Sequence, residues 1–258
     1  MLCGAAAVHV GAIGAMLAYP QSLGWALGGI GATHAAMCAA GLLPRSTWLG
    51  PNLLRLPPSA EGCVALTFDD GPNPALTPRV LDLLDQHGAS ATFFCIGQRA
   101  AAHPELVREI VRRGHAVENH SMSHRLYFST FGPGRMQRDI AAAQQVLADI
   151  TGQAPRFFRA PAGLRNPFLE PVLCRLGLQL AAWTRRGFDT RSGNNAARVA
   201  RRLAGRLAAR DILLLHDGNP GLDPAGQPHC TTVLPGLLTA IDRAGLRCVT
   251  LRSAVPAA

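Results

Sequence analysis

The segment CVALTFDDGP, residues 63–72, joins an apolar run to a pair of adjacent carboxylates, Asp69 and Asp70. A continuous apolar run of this length is typical of a parallel-sheet strand whose two faces are both covered. Parallel α/β folds carry their functional side chains at the carboxyl ends of the strands. The segment therefore predicts a strand with two candidate catalytic carboxylates at its end, although paired aspartates after a strand are also common in turns and helix caps.

The chain beyond residue 60 repeats an alternation of short apolar runs and helix-period segments. The later apolar runs are 91–96, 116–119, 157–159, 178–183, 212–215 and 246–251. Helices are predicted to begin near Thr77, Pro104, Gly134, Pro167, Asn195 and Thr231. This alternation predicts an α/β domain with a parallel sheet or barrel inside and helices outside.

Three histidines follow the carboxylate pair in an order that suggests metal-dependent hydrolysis. His120 and His124 lie at helical spacing, which would put both rings on one face. Together with Asp70 they form a three-ligand set that leaves one coordination position open, and Asp69 could accept a proton from the attacking water. His216 ends a later apolar run and could donate a proton. Each feature alone has an ordinary structural explanation, but the ordered combination predicts a metal hydrolase.

The same motifs resemble those of the NodB-type polysaccharide deacetylases, a family that includes chitin, chitooligosaccharide and peptidoglycan deacetylases. The resemblance runs from Cys63 to about Leu251. It rests on TFDDG at 67–71, HSMSH at 120–124, RAPAG at 159–163 and LLLH at 213–216. It implies a distorted, incomplete (β/α) barrel of about seven strands.

The resemblance also implies a role for each residue of the site. The implied catalytic residues are Asp69 as base, His216 as acid, Arg159 beside the base and Asp189 beside the acid. The implied ligands of a divalent metal, for which Zn²⁺ is expected, are Asp70, His120 and His124. The expected substrate-binding residues are Pro161, Ala162, Gly163, Leu214, Arg185 and Arg186.

Two motifs depart from the family pattern. Ala162 stands where an aromatic residue usually precedes the glycine, so one wall of the substrate groove is either missing or supplied from elsewhere. The backbone N–H at this position can still act as an oxyanion donor, because that role needs no side chain. The usual Asp-x-x-Asp-Trp motif is DTRSG at 189–193, which lacks the tryptophan expected to enclose the acyl methyl group.

These observations predict an enzyme that removes the N-acetyl group from an amino sugar in a glycan or lipid-linked saccharide. A deformylase or another linear-amide hydrolase would use the same residues, and the altered motifs leave that alternative open. A catalytically inactive glycan-binding protein is the other alternative. The presence of both carboxylates and all three histidines favours an enzyme.

The first 44 residues contain no Asp, Glu, Lys or Arg. This composition predicts a helical membrane hairpin with spans at about 3–19 and 23–43, and the alternatives are a single span or no span. A cleaved signal peptide is disfavoured because the segment has no basic n-region. In a symmetric hairpin His9 and His34 could contact each other, although local packing of each ring is also compatible with the pattern.

The predicted domains are therefore a membrane anchor at 1–44, a proline-rich linker at 45–60 and a catalytic domain at 61–258. Arg45 and Arg55 follow the second apolar segment, and the positive-inside rule then favours a cytoplasmic catalytic domain attached to an inner-membrane-type bilayer. The family resemblance favours the opposite side, so the sequence supports only a weak preference for the cytoplasm.

The formal charge of +9 arises entirely beyond residue 44. An arginine stripe at i,i+4 spacing consists of Arg198, Arg202, Arg206 and Arg210. Such a stripe is either a solvated helix face or a surface for anionic lipid, so a glycolipid is among the expected partners. Nucleic acid is disfavoured because no recognised binding motif or aromatic stacking set accompanies the arginines.

Overall fold

The computed structural model describes residues 2–193 and 195–256 of the chain. The strands are β1 Cys63–Asp69, β2 Ala91–Cys95, β3 Ala116–Asn119, β4 Phe157–Phe158, β5 Gln179–Leu180, β6 Arg185–Arg186, β7 Ile212–His216 and β8 Arg247–Cys248. The helices are α1 Leu2–Ala18, α2 Leu23–Leu42, α3 Thr77–Gln86, α4 Gly97–Ala102, α5 Pro104–Arg112, α6 Pro133–Thr151, α7 Leu169–Arg175, α8 Ala196–Ala204, α9 His229–Arg243 and α10 Leu251–Ala254.

The strands form one parallel sheet in the order β5-β4-β3-β2-β1-β7-β6, with β8 pairing beside the start of β1. The sheet is curled into a half-barrel with helices packed on it, so the expected incomplete (β/α) barrel is confirmed. The short strand β6 was missed from the sequence because its two residues are both arginines, which give no apolar signal.

Burial explains why the central strands have such apolar sequences. Every residue of β1 is buried, as expected for a parallel strand covered on both faces. The covering helices are amphipathic, and α5 buries Val107 and Ile110 while it exposes Glu105, Arg108 and Arg112. Burial of each such side chain stabilises the fold by about 1.5–3 kcal/mol.

The register of the sheet brings the functional motifs to one edge. Asp69 at the end of β1 is the register partner of His216 at the end of β7. On the other side of β1, Asn119 at the end of β3 pairs with Phe158 of β4. The residues that follow, His120 and Arg159, therefore emerge at the same edge as Asp69.

The N-terminal residues form α1 and α2, joined by a 3₁₀ turn at Pro20–Ser22. The two helices pack against each other, and the Nε2 atoms of His9 and His34 lie 3.1 Å apart. The prediction of membrane spans is not supported, since no helix within residues 2–193 and 195–256 is long and apolar enough to cross a membrane. The 17 residues of α1 extend about 26 Å, less than the hydrocarbon thickness of about 30 Å.

Residues 45–60, predicted as a linker, lie against the catalytic domain. Leu56 is fully buried, and Leu53 exchanges backbone hydrogen bonds with Leu180 and Ala182 at the sheet edge. Arg55 forms an ion pair of 3.0 Å with the buried carboxylate of Asp211. This segment thus brings the C-terminal end of α2 close to the catalytic edge of the sheet.

Candidate active site

The Asp69-Asp70 pair turns the chain sharply as it leaves β1. Asp70 has a φ of 71°, a left-handed conformation that costs a non-glycine residue about 1–3 kcal/mol. Arg99 holds this turn, because its Nη1 donates to the carbonyl oxygens of Asp70 at 2.7 Å and Gly218 at 2.8 Å. A Cβ on Gly218 would lie 1.9 Å from the Asp70 carbonyl oxygen, so only glycine fits there. Sequence analysis missed the positioning contribution of Arg99.

Asp70, His120 and His124 converge on one point. The Asp70 Oδ1 atom lies 3.3 Å from His120 Nε2 and 3.1 Å from His124 Nε2. The potential ligand atoms of the three residues all lie within 4.8 Å of one another. Burial raises the pKa of Asp70, but hydrogen bonds to His120 and His124 and the positive charges of His120 and His216 outweigh this effect, so the net pKa is below its ordinary value. The carboxylate is therefore ionised and able to bind a cation.

The two histidines lie in a loop after β3 and not on a helix, which corrects the interpretation of their spacing. The loop is held by side chains, since Asn119 Oδ1 accepts from Ser121 N–H at 2.8 Å and Ser121 Oγ accepts from His124 N–H at 3.0 Å. Ser121 and His124 have φ values of 66° and 44°, which no helix allows. Asp139 on α6 also fixes the loop by accepting from Ser123 Oγ at 2.6 Å.

The His120 ring is oriented for metal binding. Its Nδ1 lies 2.8 Å from the Arg159 carbonyl oxygen, a group that can only accept. Nδ1 therefore carries a proton, which leaves Nε2, 3.3 Å from Asp70 Oδ1, as the ring atom that would bind a cation once its own proton is displaced. Two imidazoles, one carboxylate and this backbone support fit a divalent metal with an open coordination position.

Asp69 is paired with a buried arginine rather than with the ligand set. Arg159 is only 1% exposed, and its Nη1 donates to Asp69 Oδ1 at 2.7 Å and to Thr67 Oγ1 at 2.8 Å. The other guanidinium nitrogens donate to backbone carbonyls of Ala181 and Ala182 at 3.1 and 2.8 Å. Because every nitrogen of the guanidinium has a partner, the charge next to Asp69 is fixed in position.

His216 is held by Asp189 through both its ring and its backbone. The Nδ1–H group donates to Asp189 Oδ1 at 2.9 Å, and the backbone N–H donates to Oδ2 at 2.7 Å. Burial lowers the pKa of His216, but the charge of Asp189 and its hydrogen bond raise the pKa by a larger amount. The net effect is a rise from 6.5 to about 9. The imidazole is consequently protonated at neutral pH and can donate a proton from Nε2.

Comparison with known proteins agrees with this geometry. The polysaccharide deacetylase family model matches residues 57–181. A peptidoglycan-N-acetylglucosamine deacetylase of Bacillus cereus is 34% identical over 198 residues, which cover 75% of this chain and 88% of that protein. The chain belongs to the polysaccharide deacetylase family. A chitooligosaccharide deacetylase of a Bradyrhizobium strain is 38% identical over 175 residues, with coverage of 67% and 77%.

Solved structures of polysaccharide deacetylases share the fold. A peptidoglycan N-acetylglucosamine deacetylase superimposes with a TM-score of 0.70 at 27% identity, covering 79% of this chain and 92% of that one. A family 4 carbohydrate esterase from Streptomyces lividans, solved in complex with acetate, gives a TM-score of 0.64 at 31% identity, with coverage of 75% and 95%.

The polysaccharide deacetylase motifs surround a cavity of about 170 Å³. Its lining includes the expected residues Asp69, Asp70, His120, His124, Ala162, Gly163, Arg186, Leu214 and His216. Pro161 is buried, and it precedes the strained Ala162, which has a φ of 55°. The backbone N–H of Ala162 donates no hydrogen bond within the described residues, so it is free to meet an oxyanion.

An aromatic wall is present in the cavity although the motif tryptophan is absent. Trp183 lines the cavity together with Leu126, Thr190 and Asn219, all four of which sequence analysis missed. A Cβ on Gly163 would lie 2.7 Å from Trp183 Cη2, which shows how closely the indole covers this motif. The sequence signal was a tryptophan at the end of an apolar run, but strand-end aromatics also occur in cores.

The two arginines predicted to bind substrate, Arg185 and Arg186, have different environments. Arg185 and Arg186 are neighbours on β6, and successive strand residues face opposite sides. Arg185 Nε pairs with the fully buried Asp211 at 2.7 Å, and Arg185 is not among the residues that line the cavity, so its contact with substrate stays a prediction. Arg186 lines the cavity, with its guanidinium 5.5 Å from the centre of the Trp183 ring.

Proposed function

We propose that this protein hydrolyses the N-acetyl group of an amino sugar in a glycan, with peptidoglycan and chitooligosaccharides as the substrate class. The observation that carries the proposal is the placement of a carboxylate and a protonated imidazole at the ends of adjacent strands. Asp69 at the end of β1 is an acceptor paired with Arg159, whereas His216 at the end of β7 is a protonated donor paired with Asp189. Hydrolysis of an amide needs this combination of base and acid at one carbonyl.

Asp70, His120 and His124 are proposed to hold Zn²⁺, which is the ion that two imidazoles and a carboxylate favour. A divalent metal bound there would lower the pKa of a water molecule and polarise the acetyl carbonyl. Asp69 and Asp70 are consecutive residues, so the proposed base and the proposed metal ligand lie on the same backbone turn. That arrangement fixes the base close to the activated water.

The proton transfers involve Asp69 and His216. Asp69 accepts a proton as the water oxygen adds to the carbonyl carbon, and its ion pair with Arg159 holds the carboxylate in position. The Ala162 N–H can donate to the developing oxyanion. His216 then delivers its Nε2 proton to the nitrogen as the C–N bond breaks. The products are acetate and the free amine of the sugar.

The acyl group is proposed to be acetyl rather than formyl. Trp183 and Leu214 supply apolar surface in a cavity of about 170 Å³ whose other walls are mainly polar. A methyl group gains from burial against such surface by about 0.8 kcal/mol, and a formyl hydrogen gains nothing comparable. The acyl preference is therefore expected to favour acetyl.

The test is release of acetate and formate from N-acetyl and N-formyl glycans, with both peptidoglycan and chitooligosaccharides in the panel and a lipid-linked saccharide as a third carrier. Asp69→Asn removes the proposed base, and Asp149→Asn, an exposed aspartate on α6, is the matched control. Metal-dependent acetate release by wild type and Asp149→Asn, with at least a 100-fold loss in Asp69→Asn, would support the proposal. Absence of acid from every carrier, with metal bound, would overturn it.

A further inference from the structure

A second groove opens beside the catalytic cavity. It encloses about 430 Å³ and is lined by Leu43, Pro44, Arg45, Trp183, Arg186 and Phe188. Trp183 and Arg186 also line the catalytic cavity, so the two spaces share a wall. A saccharide whose N-acetyl sugar occupies the cavity would place a neighbouring unit in this groove.

One side of the groove comes from the segment that follows α2. Asn52 Nδ2 donates to the Pro44 carbonyl at 3.0 Å, and Arg45 Nη1 donates to the Thr184 carbonyl at 3.3 Å. The Pro44 ring packs on Gly163, where an added Cβ would lie 2.7 Å from the proline Cβ. Since the family model begins its match at residue 57, this wall belongs to a part of the chain outside the matched region.

Four arginines lie in or beside the groove. The guanidinium groups of Arg186, Arg191 and Arg202 lie 4.9, 5.2 and 4.9 Å from the centre of the Phe188 ring. In the described part of the chain, neither these three arginines nor Arg45 has a carboxylate within 4.0 Å. Contacts with the aromatic face offset only part of the repulsion among such close like charges.

Arg186 has unused hydrogen-bonding capacity at the junction of the two spaces. Its Nε is buried and has no hydrogen-bond partner among the described residues. Arg45, on the opposite side of the groove, is exposed and uses one nitrogen for the Thr184 carbonyl. Guanidinium groups bind carboxylate and phosphate oxygens through paired hydrogen bonds, which would neutralise the charge and satisfy these donors.

We infer that this groove is a subsite for an oxyanion, either carboxylate or phosphate, carried by the saccharide unit next to the N-acetyl sugar. Arg45 and Arg186 bind the oxyanion, and Arg191 and Arg202 add to the positive field. The inference rests on the proposed deacetylase function and specifies its substrate. It makes the N-terminal segment a determinant of which glycan is processed.

The experiment compares kcat/KM for acetate release from three oligosaccharides of equal length: one neutral, one with a carboxylate on the neighbouring unit, and one with a phosphate there. Wild type is expected to prefer the anionic substrates about tenfold at low salt, and the ratio should approach one in 0.5 M NaCl. Arg45→Gln and Arg186→Gln should each lower the ratio at least threefold, and Arg186→Lys should retain part of it. Arg243→Gln, an exposed arginine at the end of α9, is the charge-matched control and should keep the wild-type ratio.

Calorimetric binding of the same oligosaccharides to metal-loaded Asp69→Asn protein provides a readout that needs no turnover. Tighter binding of the anionic forms supports the subsite if this preference is lost in the double variant Asp69→Asn/Arg45→Gln. If the preference is seen but wild type releases no acetate, the proposed function fails and the subsite stands. Acetate release or binding that is equal for neutral and anionic forms overturns the subsite and leaves the deacetylase proposal intact. Comparison of the carboxylate-bearing and phosphate-bearing oligosaccharides shows which oxyanion the subsite prefers.

Discussion

Replacement of Asp189 by asparagine tests how the acid is tuned. Asp189 raises the pKa of the buried His216 to about 9 against the effect of burial, so the substitution should return that pKa towards the ordinary 6.5. The difference corresponds to about 3 kcal/mol. At pH 8 about 90% of His216 would be protonated in wild type, and a pKa returned fully to 6.5 would leave about 3% protonated, so a loss of activity of up to about 30-fold is predicted at that pH.

The assay is the pH dependence of kcat/KM for acetate release. The alkaline limb of this profile reports the acid of the free enzyme, and it should move from near pH 9 towards pH 6.5 in Asp189→Asn. A cation bound at Asp70 would lower the His216 pKa in both proteins, so the difference between the two profiles is the quantity to compare. Circular dichroism verifies that the variant is folded.

Stability provides an independent measurement of the same coupling. A histidine whose pKa is raised on folding contributes stability that is fully present below the unfolded value of about 6.5 and is lost as the pH rises through about 9. Wild type should therefore be more stable than Asp189→Asn by a margin that depends on pH. The difference between their free energies of unfolding should be about 3 kcal/mol larger at pH 6 than at pH 10.

Glu118→Gln is the matched control for the loss of a buried carboxylate. Glu118 is fully buried, pairs with Arg252 Nε at 2.6 Å, and does not line the catalytic cavity. Its replacement should lower stability but leave the alkaline limb in place. If a folded Asp189→Asn protein keeps the wild-type alkaline limb to within about 0.3 pH, then Asp189 does not tune the acid and the argument is refuted.

Three further substitutions test the metal site, the buried ion pair and the turn after β1. His124→Ala should lose bound metal on dialysis, measured by elemental analysis, whereas the exposed His103→Ala should retain it; equal retention would contradict the ligand assignment. Arg159→Met should lower the free energy of unfolding in urea by about 3–5 kcal/mol because Asp69 is left buried and unpaired, and an unchanged midpoint would argue against the pair. Gly218→Ala should reduce kcat/KM at least tenfold, since its Cβ would lie 1.9 Å from a carbonyl oxygen beside the metal ligands; wild-type kinetics would show that the turn is not constrained.

Several features of the site could be predicted because they depend on local pattern. The apolar run ending at Asp69 and the later run ending at His216 each identified a strand, and parallel strands bring their carboxyl ends to one edge. The order of the motifs then sufficed to predict which side chains meet there. The same reasoning failed for His120 and His124, whose spacing resembled a helix but arises from a side-chain-supported loop.

The sequence by itself determined the α/β alternation, the strand-end placement of the acid and base, and the absence of charge from the first 44 residues. Only the tertiary structure decided that Trp183 covers Gly163, that Arg185 pairs with Asp211 while Arg186 faces the cavity, and that Pro44 forms a wall of the adjoining groove. The physical reason is the range of the interactions. Periodicity reports which face of its own element a residue occupies, whereas these contacts depend on how separate segments pack against one another.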